Sequence, residues 1–405
     1  MTIETDPATS PRGALRRHPD DSTREVADLP SLCVQAHAAN LMVLQDGTLG
    51  CVWFGGSMEG RSDISVYMSR LEPGASQWSA PVQLSDDPQR SEQNPILFPA
   101  PDGSLWLMHT AQFSGNQDTS IVRRRVSHDN GRTWGATETL QDAPAGTFVR
   151  QPIHVHSDGS WLLPIFNCCT LPGEKWDGSL DESAVMRSTD QGRTWQHIPV
   201  PDSLGCVHMS IVPASGNRLL GFFRSRWADF IYRTVSDDGG LTWAKPVPTV
   251  LPNNNSSIQA LRLADGRLAM IFNASSAADA TERRASLYDE LEEETAPTTT
   301  PPKETAQQPV RRAFWGAPRA PMTVALSSDD GLTWPWQRNL ETGDGYCMSN
   351  DSARAINREY SYPSIRQGPD GALNLAYTVF RQHIRHVRVT PDWVTQPAKG
   401  EDRAE

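Results

Sequence analysis

Two side chains in this sequence stand where they could do covalent or proton-transfer chemistry, Tyr362 and His208. Each opens an otherwise apolar run, Tyr362-Pro-Ser-Ile365 and His208-Met-Ser-Ile-Val212. Each also lies about eight residues before a tight-turn signal, Asp370-Gly371 and Ser215-Gly-Asn217 respectively. The same count from Asp46-Gly47, Asp102-Gly103, Asp158-Gly159 and Asp265-Gly266 leads to His37, Asn94, Gln151 and Ser257. A phenol is a nucleophile once a base removes its proton, and an imidazole with an ordinary pKa of about 6.5 is such a base at neutral pH. Asn94, Gln151 and Ser257 have a competing role, satisfying backbone groups around a water-filled channel. Polar residues at the starts of apolar strands make a convergent pocket only if the strands stand in a ring.

A ring is what the repeats require. The pattern Ser-x-Asp-x-Gly-x-Thr-Trp occurs at Ser127–Trp134, Ser188–Trp195, Ser236–Trp243 and Ser327–Trp334, each time after a strand-like run. Its Asp can accept bonds from its own turn, its Gly allows positive φ, and its Trp folds back as an apolar plug. It is a structural device with no chemistry of its own. Weaker copies stand at Trp78 and Trp393. The Asp-Gly turns repeat in step: Gly47, Gly103 and Gly159 are 56 residues apart, Gly216 follows by 57 and Gly266 by 50. The last gap, 105 residues to Gly371, contains a polar insertion. Six all-β units of about fifty residues predict a six-bladed β-propeller of four-stranded antiparallel blades.

The expected organisation is an N-terminal arm over 1–30, disordered or loosely docked, a propeller over 31–395, and a tail over 396–405. The insertion, 277–318, interrupts the fifth blade. It holds the acidic run Asp289-Glu-Leu-Glu-Glu-Glu294 and a Thr/Pro stretch. Such composition cannot bury a core, so about Glu292 to Gln308 is expected to be mobile and dispensable for folding. Its edges mix Arg with aromatics; a surface excursion is favoured over a lid across the ring.

With a net charge of −11 and no dominant Lys/Arg block, the chain is not built for nucleic acid or an anionic membrane. The first residues hold no apolar core of a signal peptide and no window suits a membrane span, so a cytoplasmic location is expected. Six Cys without CxxC or metal spacing are expected to be reduced, with no metal and no cofactor.

Four such turns and six units resemble the sialidase (neuraminidase) superfamily over about Leu32 to Trp393. Glu59-Gly-Arg-Ser-Asp63 looks like the family's Ala-Glu-x-Arg segment, which implies Arg61 as a substrate contact and Asp63 as the general acid shortly beyond it. Leu219-Leu-Gly-Phe-Phe-Arg224 is similar to the strand delivering the second Arg of the family's carboxylate-binding triad. The fifth-blade segment resumed at Arg319 implies the third, with Arg283 and Arg284 as competitors. The family's nucleophilic Tyr falls on Tyr362, with Tyr360 as the alternative. Two departures stand out. Where sialidases open the first blade with Phe/Tyr-Arg-Ile-Pro, this chain has Ala36-His-Ala-Ala-Asn40, placing His37 at or near the missing Arg. The fourth blade lacks the Glu that activates the Tyr; His208 takes that role, or Glu359 reaches in beside Tyr362.

The resemblance implies an exo-acting glycosidase that removes a terminal acidic sugar from a small glycan, by a Tyr nucleophile with retention. Asn94, Gln151 and His37 would line the sugar. Two other readings remain: a uronic-acid lyase using Tyr362 and His208 as acid and base, and a non-catalytic propeller that binds a glycan.

Overall fold

Each Ser-x-Asp-x-Gly-x-Thr-Trp segment closes on itself in the same way. In the first, Ser127 Oγ donates to Asp129 Oδ1 at 2.8 Å and accepts from the Gly131 amide at 2.8 Å. Asp129 also accepts from the Thr133 amide and hydroxyl at 2.8 and 2.5 Å. Asp190, Asp238 and Asp329 accept the same pair from Thr194, Thr242 and Thr333. The glycine is needed for packing as well as for its φ of 77° at Gly192, where a Cβ would come 2.5 Å from the Trp106 ring of the neighbouring blade. Every one of these turns joins the third strand of a blade to its outermost strand, far from the ring's axis.

The computed structural model describes residues 12–291 and 311–396. They form a six-bladed β-propeller of antiparallel sheets. The innermost strands are Gln35–Val43, Arg90–Pro99, the pair Thr147–Val149 and His154–Val155, Cys206–Pro213, Gln259–Arg262 and Tyr360–Gln367. Strands alternate in facing, and the apolar residues of adjacent blades meet in six seams. Phe98, Trp106 and Trp161 pack edge to face between the second and third blades, for example, with centroids 4.8 to 6.2 Å apart.

The ring is closed by the segment expected to be a loose arm. Glu25–Asp28 pairs with His383–Val389 as the outer strand of the sixth blade, and Arg16–Arg17 adds a further strand. Val26 and Ala27 are buried there, and Asp28 accepts from Arg385 Nε at 2.7 Å. The polar composition around it hid a strand of four residues, Glu25-Val-Ala-Asp28, too short to show the alternation of a strand. The weak copies also serve as plugs: Trp78 and Trp393 are both buried. The middle of the insertion, expected to be mobile, lies outside the described residues.

One irregularity recurs on the inner strands. Ala38, Asn94, His208 and Tyr362 all have φ between 50° and 61°, each at a register shift between the first two strands of its blade. Left-handed backbone at a non-glycine residue is costly, and four equivalent bulges aim consecutive residues at the top of the channel. Stepping back eight from Asp46 and Asp158 reaches Ala38 and Arg150, so the choice of His37 and Gln151 is displaced by one residue in two blades. All six cysteines are free thiols. Among the described residues no helix is long and apolar enough to cross a membrane, and no cluster of His, Cys, Asp or Glu suits a metal.

Candidate active site

The bulge at the start of the sixth blade puts the Tyr362 side chain at the channel mouth with 6% of its surface exposed. Its hydroxyl accepts a hydrogen bond from Arg224 Nη1 at 2.6 Å. The guanidinium carbons of Arg150, Arg224 and Arg319 lie 5.4, 5.5 and 5.6 Å from its ring centroid. Arg150 grips the bulge from below. It donates to the carbonyls of Tyr362 and Pro363 at 3.0 and 3.2 Å, to those of Ala38 and Ala39, and to Ser257 Oγ, so one side chain ties four blades together. Burial lowers the Arg150 pKa to about 10.

Two further arginines meet on one carboxylate. Glu359 Oε2 accepts from Arg319 Nη1 at 2.7 Å and Oε1 from Arg381 Nε at 2.6 Å, while Arg381 Nη1 also reaches Glu59 at 2.5 Å. Burial alone would raise Glu359, but Arg381 and Arg319 outweigh it and hold its carboxyl down at about 2. Arg381 and Arg319 are thus neutralised within the protein. Arg224 is not: among the described residues its side-chain bonds go to Tyr362 and Asn255, no carboxylate pairs with it, and its Nη2 is buried without a hydrogen bond. Burial pulls its pKa down to about 9. A buried cation without a counter-charge, beside two guanidiniums held in place, is an arrangement that accepts an anion.

The two histidines flank the phenol. The His37 ring is 4.3 Å and the His208 ring 5.7 Å from the Tyr362 ring, centroid to centroid. Burial first, and then the surrounding arginines, hold both well below the usual histidine range, so both are neutral. Both ring nitrogens of His37 and Nδ1 of His208 are buried without a hydrogen-bond partner. Neutral imidazoles with free nitrogens can take or give a proton to a bound molecule.

Tyr362, Arg224, Arg319, His37 and His208 are therefore brought together. Other expected members are not. Asp63 is exposed, its two oxygens accepting from the Ser57 amide and hydroxyl at 2.9 Å, and Arg61 is exposed beside it. From that loop it is Ile64 that packs on Tyr362 and Glu59 that enters the charged network through Arg381. Glu359 binds arginines and not the phenol. Asn94 holds the equivalent bulge in the second blade, with no hydrogen bond or ring contact to Tyr362. Gln151 bonds the Ile258 carbonyl and Gln259, lower in the channel, in the structural role that competed for it. Tyr360 turns its ring to Tyr377 and Phe380. Arg283 and Arg284 bind the Ala313 carbonyl and Asn350 instead of facing Tyr362.

Sequence reasoning missed Arg381, Arg150 and Arg226. Arg226 pairs with buried Asp181 at 2.5 Å and underlies Trp315 at 5.2 Å. Its only signal was the Arg224-Ser-Arg226 spacing. The favoured surface excursion is corrected in its described parts: residues 283–291 and 311–318 cover the mouth. Trp315 lies over Arg224 at 5.8 Å, and Phe314 exchanges backbone and side-chain bonds with Arg226 and Asn255. Leu287, Ala313 and Trp315 join Phe148, Phe166, Trp176 and Val207 in one buried cluster.

The profile of the BNR repeat-like domain family matches residues 47–375. The chain belongs to this family. Among its relatives is a sialidase of Micromonospora viridifaciens, 26% identical over 371 residues, 74% of this chain and 53% of that protein. The chain thus spans about half the length of that curated relative. Solved structures of similar fold include the Hadza microbial sialidase Hz136, with a TM-score of 0.64 and 15% identity over 89% of this chain and 67% of that one. The intramolecular trans-sialidase from Ruminococcus gnavus matches with a TM-score of 0.63 and 12% identity, covering 90% of this chain and 96% of that one. This BNR-family chain is a divergent sialidase-like propeller protein.

Proposed function

We propose that this propeller is an exo-acting glycosidase that removes a terminal acidic sugar from a small glycan, with Tyr362 as nucleophile. Sialidase relatives support glycosidase-type chemistry at the level of class. The observation that carries the finer reading is the 2.6 Å bond from Arg224 to the Tyr362 hydroxyl, made by a guanidinium with no carboxylate of its own. The substrate carboxylate settles on Arg224, with Arg319 and Arg381 alongside. Tyr362 oxygen attacks the anomeric carbon as the glycosidic bond breaks; its proton passes to His208 or His37, and the imidazole hands it on to the departing glycan oxygen. Water then cleaves the tyrosyl bond: the imidazole, neutral again, takes the water's proton and returns it to the tyrosyl oxygen, restoring the phenol. A neutral phenol avoids the repulsion a carboxylate nucleophile would meet at a carbon bearing a carboxylate.

A second reading, elimination by a lyase, is favoured by one specific observation. Asp63, the expected acid, is turned to Ser57, while two neutral imidazoles flank the phenol. The products separate the two. Hydrolysis in heavy-oxygen water places the label on the released acidic sugar and gives no new ultraviolet absorbance. A rising conjugated-alkene absorbance without label would establish the lyase and exclude the hydrolase.

A further inference from the structure

The insertion does more than cover the site; one of its side chains is held as a ligand would be. The Tyr288 hydroxyl oxygen accepts from Gln112 Nε2 and Gln117 Nε2, both at 2.9 Å. Gln93 adds a third amide, Trp176 lies 6.1 Å from the ring, and Glu59 is close enough to act on the phenol electrostatically. The fit is tight: a Cβ at Gly60 would come 2.8 Å from the Tyr288 ring. Amide donors from the second blade that converge on one oxygen, beside an aromatic face, suit a neutral hydroxyl or carbonyl oxygen of a sugar. In this structure the protein itself supplies that oxygen.

The segment is fastened two residues further on. Glu290 Oε1 accepts from Ser349 Oγ at 2.7 Å and from Arg354 Nη1 at 3.2 Å, and Oε2 accepts from the Asn350 amide. Arg284 joins the same anchor, binding Asp289 and Asn350. This polar cluster, half-exposed at Arg354, and the Asn350 side-chain amide donating to the Leu287 carbonyl tie the 283–291 strip to the sixth-blade loop. Tyr362, Arg224 and the histidines are almost fully buried; Trp315 lies over Arg224, Phe166 lies against His208, and Leu287 of the strip packs with both aromatic rings in one cluster, so lifting the strip loosens this cover.

We propose that the strip 283–291 is a gate, with Tyr288 as an internal stand-in in a subsite for a neutral oxygen of the substrate and Glu290 as the latch. The sugar in this statement rests on the glycosidase reading; the gate and its latch do not.

Cys168 reports opening directly. It lies in the cluster beneath Leu287 and Trp315, and its thiol contacts Gln117 Oε1 at 3.6 Å. Burial pushes that thiol well above the usual cysteine range, so it is inert while covered. The experiment is alkylation of the full chain by N-ethylmaleimide, in a Cys169→Ser background, followed peptide by peptide. Glu290→Gln should speed labelling at Cys168 by about tenfold, and Arg354→Ala by a smaller factor, with Cys51 between the first and sixth blades unchanged. Unchanged labelling at Cys168 in both variants, or an equal rise at Cys51, overturns the latch. For the stand-in, Tyr288→Ala should lower KM for an acidic aryl glycoside by about fivefold with kcat little changed, because a competitor is removed. A raised KM overturns it and makes Tyr288 part of the substrate site. If no acidic glycoside is turned over, the glycosidase reading fails while the labelling still decides the gate.

Discussion

The Tyr362 oxygen accepts a bond from a guanidinium that pairs with no carboxylate among the described residues, a contact that stabilises negative charge on that oxygen. What surrounds it also fixes how the protein responds to acid. His37 faces Arg381, Arg319, Arg150 and Arg224, and together with His208 it is kept neutral in the fold. His386 and His154 are also lowered by burial, to about 3 and about 4. The unfolded chain takes up protons at these residues below about pH 6.5, and the folded chain does not. Stability should therefore fall as pH drops from about 6.5, by up to about 1.4 kcal/mol per pH unit for each such histidine. Glu359, held at about 2, adds its own loss only below its ordinary value of 4.5. His37→Gln should flatten the decline of melting temperature between pH 7 and 5. An unchanged slope would show that His37 is not kept neutral.

Elements differ in how openly the sequence announced them. The four Ser-x-Asp-x-Gly-x-Thr-Trp turns were legible because their bonds lie within seven residues of one another. The strand Glu25–Asp28 was not, because its partners in the sixth blade are more than 350 residues away. Deleting the residues before Pro30 should uncover His383–Val389 and expose the buried residues that Leu29 packs with, Ile384 and Trp78 among them. The melting temperature should fall by several degrees, at roughly 2 °C for each kcal/mol lost in a domain of this size. No fall would mean that the strand does not close the ring.

Across the whole molecule, the ring followed from spacing, and so did the place of Tyr362 on the innermost strand of the sixth blade, since each repeat reports on its own blade. Groups that act between blades did not. Arg150 reads as one more residue of a strand, yet it holds the main chain of the first and sixth blades. Arg381 belongs to no motif; it reaches the site because Phe380 and Arg381 both take left-handed backbone at the end of a strand. Asp63 was misplaced for the same reason: loop geometry turns Ile64 inward and leaves Asp63 on Ser57. The proposed glycosidase requires a covalent bond between Tyr362 and the sugar. Incubating the protein with a fluorinated acidic glycosyl fluoride that slows breakdown of such an intermediate, then mapping the mass increase, reads that bond. One added sugar is expected on the peptide containing Tyr362 and none in Tyr362→Phe. Turnover with no adduct, or an adduct on another residue, would rule out Tyr362 as the nucleophile.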